Sequence, residues 1–264
     1  MAVDWTIWAG LAAGLLISTV TAPVGVSGAV FLLPVQLSVL GVPSPAVTPT
    51  NLLFNVVAGP GALWRYRRDG ALRGSLARRL MLWTLPGVIA GAAMRVFVLP
   101  GPDIFRLLIA ALLMPLGVWL CVRTRRSAHD RPRSEATEPS VTALAVLASV
   151  VGVVGGIYGI GGGSLLGPIL AARGLPLARI APATLAVTFT TSVAGAITFA
   201  VLAPASPGAV APHWWLGLAC GLGGLVGGYL GARLQPRLPE TALRLLLGAL
   251  AAALGGLYAA QALN

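Results

Sequence analysis

The chain has 264 residues, 57% of them hydrophobic, with a mean hydropathy of +0.88 and only 9% charged side chains, where a soluble domain carries about 25%; a water-soluble globule is excluded. The charges divide into 18 basic and 7 acidic residues, a formal +11, but every basic residue is Arg and these fall in short clusters between apolar runs, so nucleic acid is not the partner they imply. The 34 Gly and 20 Pro are too many for regular coiled helices, whereas both residues are enriched in membrane-spanning ones.

Apolar runs occur at 5–22, 28–41, 47–65, 76–98 and 103–122, and again at 141–158, 163–173, 181–203, 212–232 and 240–262. Asp4 and the absence of a basic residue before Arg65 argue against a cleavable leader, so a retained helix is expected from Trp5 onward. A span needs about 20 residues, and the second run of each five is short, either crossing or turning back as a re-entrant hairpin. The Arg-rich stretch between the two sets, Arg123 to Pro139, reads as a polar linker. The organisation expected is an N-terminal repeat over 1–122, a cytoplasmic linker over 123–140 and a C-terminal repeat over 141–264. Cys121 and Cys220 stand alone in apolar runs and read as packing residues.

Arg counts orient the chain. Six Arg lie within Arg65–Arg79 and five in the linker, with Arg173, Arg179, Arg233 and Arg237 marking two further loops; these are expected in the cytoplasm. The loops near 43, 100 and 207 carry at most Asp103 and are expected outside, as are both termini. Five segments per half then turn the second half upside down. The fold expected is an all-α polytopic protein of the cell inner membrane, built from two inverted five-segment repeats with short or re-entrant broken helices.

The repeat is visible in the residues. Gly25, Gly28, Leu32 and Pro34 align with Gly159, Gly162, Leu166 and Pro168, and Thr50, Gly61 and Ala62 with Thr184, Gly195 and Ala196. Further along, Gly87 to Ala92 mirrors Gly227 to Ala232, and Arg106 and Arg244 open the last segment of each half. Inverted repeats with interrupted helices and a site between them are a common architecture of secondary transporters.

The most informative stretch is Gly155 to Pro168, with Gly161, Gly162, Gly163 and Ser164 in sequence. Backbone broken by glycine at membrane depth must line a cavity or be buried in protein. A helix starting near Gly163 would aim its N–H groups and positive dipole end at an anion; close helix packing would use the same glycines. The counterpart, Gly25, Ser27 and Gly28, has fewer glycines and adds a hydroxyl. Thr50 and Asn51, then Thr184 and Thr188, follow in the next segments, with Asn55, Thr190, Thr191 and Ser192 nearby. Such hydroxyl and amide donors suit an oxyanion, although Ser and Thr also bond back to the preceding helical turn. The candidate anion site is therefore Gly25, Ser27, Gly28, Thr50, Asn51, Gly161, Gly162, Gly163, Ser164, Thr184 and Thr188.

Gly159-Ile-Gly-Gly-Gly-Ser-Leu-Leu-Gly-Pro168 and Gly25-Val-Ser-Gly-Ala-Val-Phe-Leu-Leu-Pro34, each followed by an Ala/Thr-containing helix start, resemble the TauE/SafE family of membrane permeases, often called sulfite exporters. The likeness covers essentially the whole chain; Ser27 and Ala29 stand where the family usually has Gly. It implies transport of small sulfur-containing anions such as sulfite, thiosulfate or organosulfonates by a secondary mechanism; the inverted halves add the expectation of alternating access, with the anion held between the Gly-rich stretches Gly25 to Ala29 and Gly159 to Ser164. The partners implied are that inorganic or organosulfur anion, the lipid bilayer and protons as a coupling ion; a homo-oligomer is compatible with the sequence, and no cofactor is expected.

None of the seven acids falls in the middle of an apolar run, so a carboxylate proton relay has no candidate, and a protonatable anion would have to carry any coupled proton itself. Arg95, Arg106 and Arg244 lie near segment ends and are expected to snorkel toward headgroups or to form an electropositive vestibule. Gly25-Val-Ser27-Gly28 also matches the GxSG of an intramembrane serine protease, which needs a His base within reach. His129 lies in the linker and His213 at the outer start of a segment, so no enzymatic activity is expected. A non-transporting accessory subunit is the remaining alternative.

Overall fold

With no water at membrane depth, backbone polar groups pair within their own segment, and the elements are accordingly helical. The computed structural model describes residues 5–72, 75–98, 110–111, 114–115, 117–119, 121–122, 124–125, 141–205 and 211–263. The helices are α1 (Trp5–Thr21), α2 (Ala29–Ser38), α3 (Ser44–Arg68), α4 (Ser75–Phe97), α5 (Val141–Tyr158), α6 (Gly163–Ala172), α7 (Leu177–Leu202), α8 (Trp214–Leu234) and α9 (Glu240–Leu263), with no strand among the described residues. Most of the linker, and Asp103, Arg106 and His129 with it, lie outside them. Of the expected segment 103–122, the described residues are helical and meet α9, where Cys121 Sγ lies 3.8 Å from the Leu245 carbonyl.

Six helices are long and apolar enough to cross a membrane, over Trp5–Val24, Ser75–Phe97, Val141–Tyr158, Leu177–Ala205, Trp214–Arg237 and Glu240–Ala260; the chain is a multi-pass membrane protein. Many large apolar side chains are exposed, among them Leu16, Leu82, Ile89, Ile197 and Leu222, with Trp5, Trp8, Trp214 and Trp215 exposed at the starts of α1 and α8, as befits lipid-facing surfaces with aromatic girdles. The 25-residue α3 falls outside that set of six. It runs through the interior, and its Thr48, Thr50, Asn51 and Asn55 are all buried.

The two short helices are twins. Each has ten residues and carries a proline at its sixth position, Pro34 in α2 and Pro168 in α6. Each follows a break that turns on a left-handed glycine, Gly25 at φ 76° and Gly159 at φ 67°. Close approach reinforces the choice: a Cβ on Gly25 would sit 2.6 Å from Ala181 Cα, and one on Gly159 would overlap the Thr48 carbonyl.

Glycine also sets the packing of the long helices. In α8, Gly223, Gly227 and Gly231 lie against the carbonyls of Leu11, Leu15 and Thr19 of α1, so the two helices run parallel. In α4, Gly87 and Gly91 lie against the carbonyls of Ser149 and Val153 of α5, again parallel. The alignment that pairs Gly87 and Gly91 with Gly227 and Gly231 also pairs Leu15 and Thr19 with Ser149 and Val153, so the two interfaces share one register. Gly61 and Gly221 place α3 beside α8, facing Leu225 and Val57 respectively, and Gly195 places α7 against Leu52 of α3 and Val88 of α4. Two groups result: α1, α3 and α8 run one way, and α4, α5 and α7 the other. They meet where α3 and α7 cross antiparallel, Gly59 on Phe189 and Leu52 on Gly195. Each group takes its α4 or α8 from the other half of the chain, so the spatial groups are not the sequence repeats.

These contacts leave no room for side chains. Gly227→Val should therefore drive α8 off α1 and lower the unfolding temperature in detergent by about 5 °C or more. Gly256, whose Cβ would meet nothing within 4 Å, should accept Val with a shift of about 1 °C. Equal shifts would mean that helix approach is not what these glycines provide.

Candidate functional site

Breaking α1 from α2 and α5 from α6 exposes backbone groups that side chains of α3 and α7 must satisfy. Asn55, eleven residues into α3 and so about 16 Å along it, serves both breaks at once. Its Oδ1 accepts from the Ser27 hydroxyl, and its Nδ2 donates to the Gly159 carbonyl at 3.3 Å. Asn51 Nδ2 holds the Ala29 carbonyl at 3.0 Å, and the Thr184 hydroxyl donates to the Gly25 carbonyl at 2.7 Å. On the second break, the Thr191 hydroxyl accepts from the Gly162 N–H at 3.1 Å.

Between the two helix groups, next to the first break, lies a cavity of about 30 Å³, room for about two water molecules. Its polar wall is Ser18, Thr21, Ser27, Asn55 and Thr188, with the glycines Gly28, Gly59, Gly224 and Gly228; Val26, Phe54 and Phe189 supply apolar surface. Thr21 is 2% exposed and its hydroxyl has no hydrogen-bond partner. Among the described residues, no charged side chain lines this cavity.

Of the residues proposed from sequence, Ser27, Gly28 and Thr188 reach the cavity. Ser164 stands one step behind, its hydroxyl donating to Ile160 O at 2.6 Å and lying 3.4 Å from Thr188 Oγ1. Gly161 fits beneath Thr188 and Ser192, Gly162 against Thr84, and Gly163 against the Thr184 carbonyl, each with no space for a Cβ. Their glycine identity is therefore accounted for by packing. Gly25 and Thr184 form the hinge of the first break. Thr50 turns elsewhere: its hydroxyl lies 2.7 Å from Ala46 O and accepts the His213 N–H at 2.8 Å, capping the start of α8. Asn51 braces α2. Helix-start donors are partly engaged already, since the Ala29 N–H bonds Ser27 Oγ at 3.1 Å and the Ser164 N–H bonds Gly161 O at 3.4 Å. Sequence reasoning passed over Ser18 and Thr21; their only signal was two hydroxyls in the turn of an apolar run just before a break.

Arg95 departs from the snorkelling expected of it. It is 4% exposed, its Nε lies 3.4 Å from Thr48 Oγ1, and that hydroxyl lies 3.3 Å from the Ile157 carbonyl. At the corresponding place in the other half, Gln235 Nε2 donates to the Pro23 carbonyl at 2.7 Å and to Leu177 O at 3.3 Å. The carbonyl just before the first break is thus reached directly by an amide from the end of α8, and the one just before the second by the Thr48 hydroxyl, on which a cation from the end of α4 rests. Arg244 is likewise not snorkelling, since its guanidinium binds Glu240 at 2.7 Å and the carbonyls of Ala171 and Leu175. Neither arginine is spent on lipid headgroups because each has backbone carbonyls or hydroxyls of a loop within reach.

A second cavity of about 30 Å³ lies at one end of the bundle among Ser75, Arg79, Trp83, Val141 and Arg179. It joins three stretches that Arg counting assigns to a single side, and no candidate anion residue lies in it.

No curated protein and no solved structure matches the chain. The family model described as sulfite exporter TauE/SafE matches residues 10–258, a span that takes in both breaks, the cavity and both helix groups. The chain belongs to the sulfite exporter TauE/SafE family.

Proposed function

We propose that the protein is a secondary permease for a small sulfur-containing anion such as sulfite, thiosulfate or an organosulfonate, held in the cavity between the two helix groups. Its family is one of membrane permeases and exporters of sulfur anions. The observation that carries the site is the convergence of Ser18, Thr21, Ser27, Asn55 and Thr188 on one small space beside a helix break. The Thr21 hydroxyl and the second Nδ2 hydrogen of Asn55 are the donors left to replace the hydration of an oxyanion, and α2 begins at that wall with its positive dipole end.

The packing supports alternating access. The group of α1, α3 and α8 and the group of α4, α5 and α7 meet along α3 and α7, and rocking one against the other would open the cavity first to one side and then to the other. The shared register of the α1–α8 and α4–α5 contacts supports two inverted repeats, which would make the two openings near mirror events. The Arg-rich loops are placed in the cytoplasm and both termini outside on the positive-inside rule, in the cell inner membrane. The Gly25 and Gly159 turns would bend with each opening.

The protease reading finds little support. Ser27 donates its hydroxyl to Asn55 Oδ1, and no histidine stands among the described lining residues. An accessory subunit would have no use for a buried donor without a partner.

Purified protein in liposomes should take up labelled sulfite, thiosulfate or a sulfonate down its gradient, and absence of flux for every anion from folded protein would move the assignment to an accessory role. Asn55→Asp keeps the side-chain shape and places a carboxylate in the cavity, so uptake should fall by about tenfold or more; unchanged uptake would place the anion elsewhere. Asn55→Leu strands the Gly159 carbonyl and the Ser27 hydroxyl, and should cost about 1–3 kcal/mol of stability in chemical unfolding.

A further inference from the structure

Resting on the permease reading above, we infer that the cavity selects singly charged sulfur oxyanions, an alkanesulfonate or hydrogensulfite, and rejects dianions such as thiosulfate and sulfate. The wall offers dipoles only. Thr21, Ser18, Ser27, Asn55 and Thr188 are neutral, and no charged residue is among the described lining residues. The Thr21 hydroxyl, 2% exposed and without a partner, is a donor held ready inside the cavity. Gly28, also in the wall, caps the start of α2, whose dipole contributes the equivalent of about half a positive charge. Arg95, the buried cation, sits on Thr48 beside the other break and does not line the cavity.

Two scalings then decide the charge of the ligand. The cost of moving an ion out of water grows with the square of its charge, so a dianion costs about four times as much as a monoanion of like size. The attraction of fixed dipoles grows only in proportion to charge and no more than doubles. A neutral wall that just compensates a monoanion therefore leaves a dianion far short, and only a cation at the wall would reverse this. Phe54, Phe189 and Val26, the apolar part of the lining, suit the apolar end of a sulfonate or the unshared pair of sulfur, and offer no donor to a second charged oxygen.

A consequence concerns protons. Hydrogensulfite and sulfite interconvert near neutral pH by gain or loss of one proton. Taking only the hydrogensulfite form moves one proton with each sulfur, and that proton is released when hydrogensulfite dissociates to sulfite on the far side. The protein itself need supply no acid or base. A permanently ionised alkanesulfonate would cross by the same site without moving a proton.

The test uses intact protein in liposomes that contain a pH-sensitive dye, with methanesulfonate, sulfite, thiosulfate and sulfate as probes. Methanesulfonate should enter at a rate independent of pH and leave the lumen pH unchanged. Sulfite should enter several-fold faster in mildly acidic than in mildly basic buffer and should acidify the lumen. Thiosulfate and sulfate should enter about tenfold more slowly than methanesulfonate or less. Dianion rates equal to that of methanesulfonate, or sulfite uptake that rises with pH, would overturn the inference while leaving the permease reading intact. No flux of any probe from folded protein would overturn the permease reading instead. Thr21→Val, close to isosteric, should raise the KM for methanesulfonate about tenfold with an unchanged unfolding temperature; an unchanged KM would remove Thr21 from the site and count against the inference.

Discussion

A backbone carbonyl or N–H left bare at membrane depth costs several kcal/mol, and this chain breaks two of its helices there. Much of its interior can be understood as the remedy. Asn55 and Asn51 of α3, and Thr184 and Thr191 of α7, each reach into a break and take up a backbone group. That requirement explains why the least apolar long helix, α3, lies inside the bundle, and why its polar residues are buried instead of facing water. It also ties the breaks together. Asn55 bonds Ser27 in one and Gly159 in the other, so movement at either break is felt at the same side chain.

The same economy governs the helix contacts. Between apolar helices in lipid there is little hydrophobic drive to associate, and close van der Waals approach takes its place. Glycines at four-residue spacing in α4 and α8 set their neighbours' carbonyls almost on the helix surface. Because those contacts join one half of the chain to the other, neither half completes a packed group by itself. The two groups meet instead along α3 and α7, where Phe189 lies on Gly59.

Helix identity and the two short broken segments were legible in the sequence because each leaves a period or a motif: apolar runs of span length, and Gly and Pro in matched order. The exchange of α4 and α8 between groups was not, since nothing in a single segment states which neighbour it meets. Within the site, Ser27 and Thr188 could be read from hydroxyls near breaks. Gly162 and Gly163 looked like a ligand cradle, but Thr84 and Thr184 fill the space a Cβ would need. Thr50 was drawn in by its pairing with Thr184, yet that pairing places it at the start of α8. Repeat symmetry predicts position in the fold and says nothing about which of two equivalent positions faces a cavity.

That distinction explains how a duplicated fold can hold one site. Under the repeat alignment Phe54 corresponds to Thr188 and Asn55 to Phe189, and all four line the same cavity. Each copy supplies one polar and one aromatic residue in opposite order. The supports diverge in the same way, since Arg95 braces the second break where Gln235 braces the first. A buried cation stands behind one break and an amide behind the other, so the two matched breaks are chemically unequal although their backbone is nearly the same.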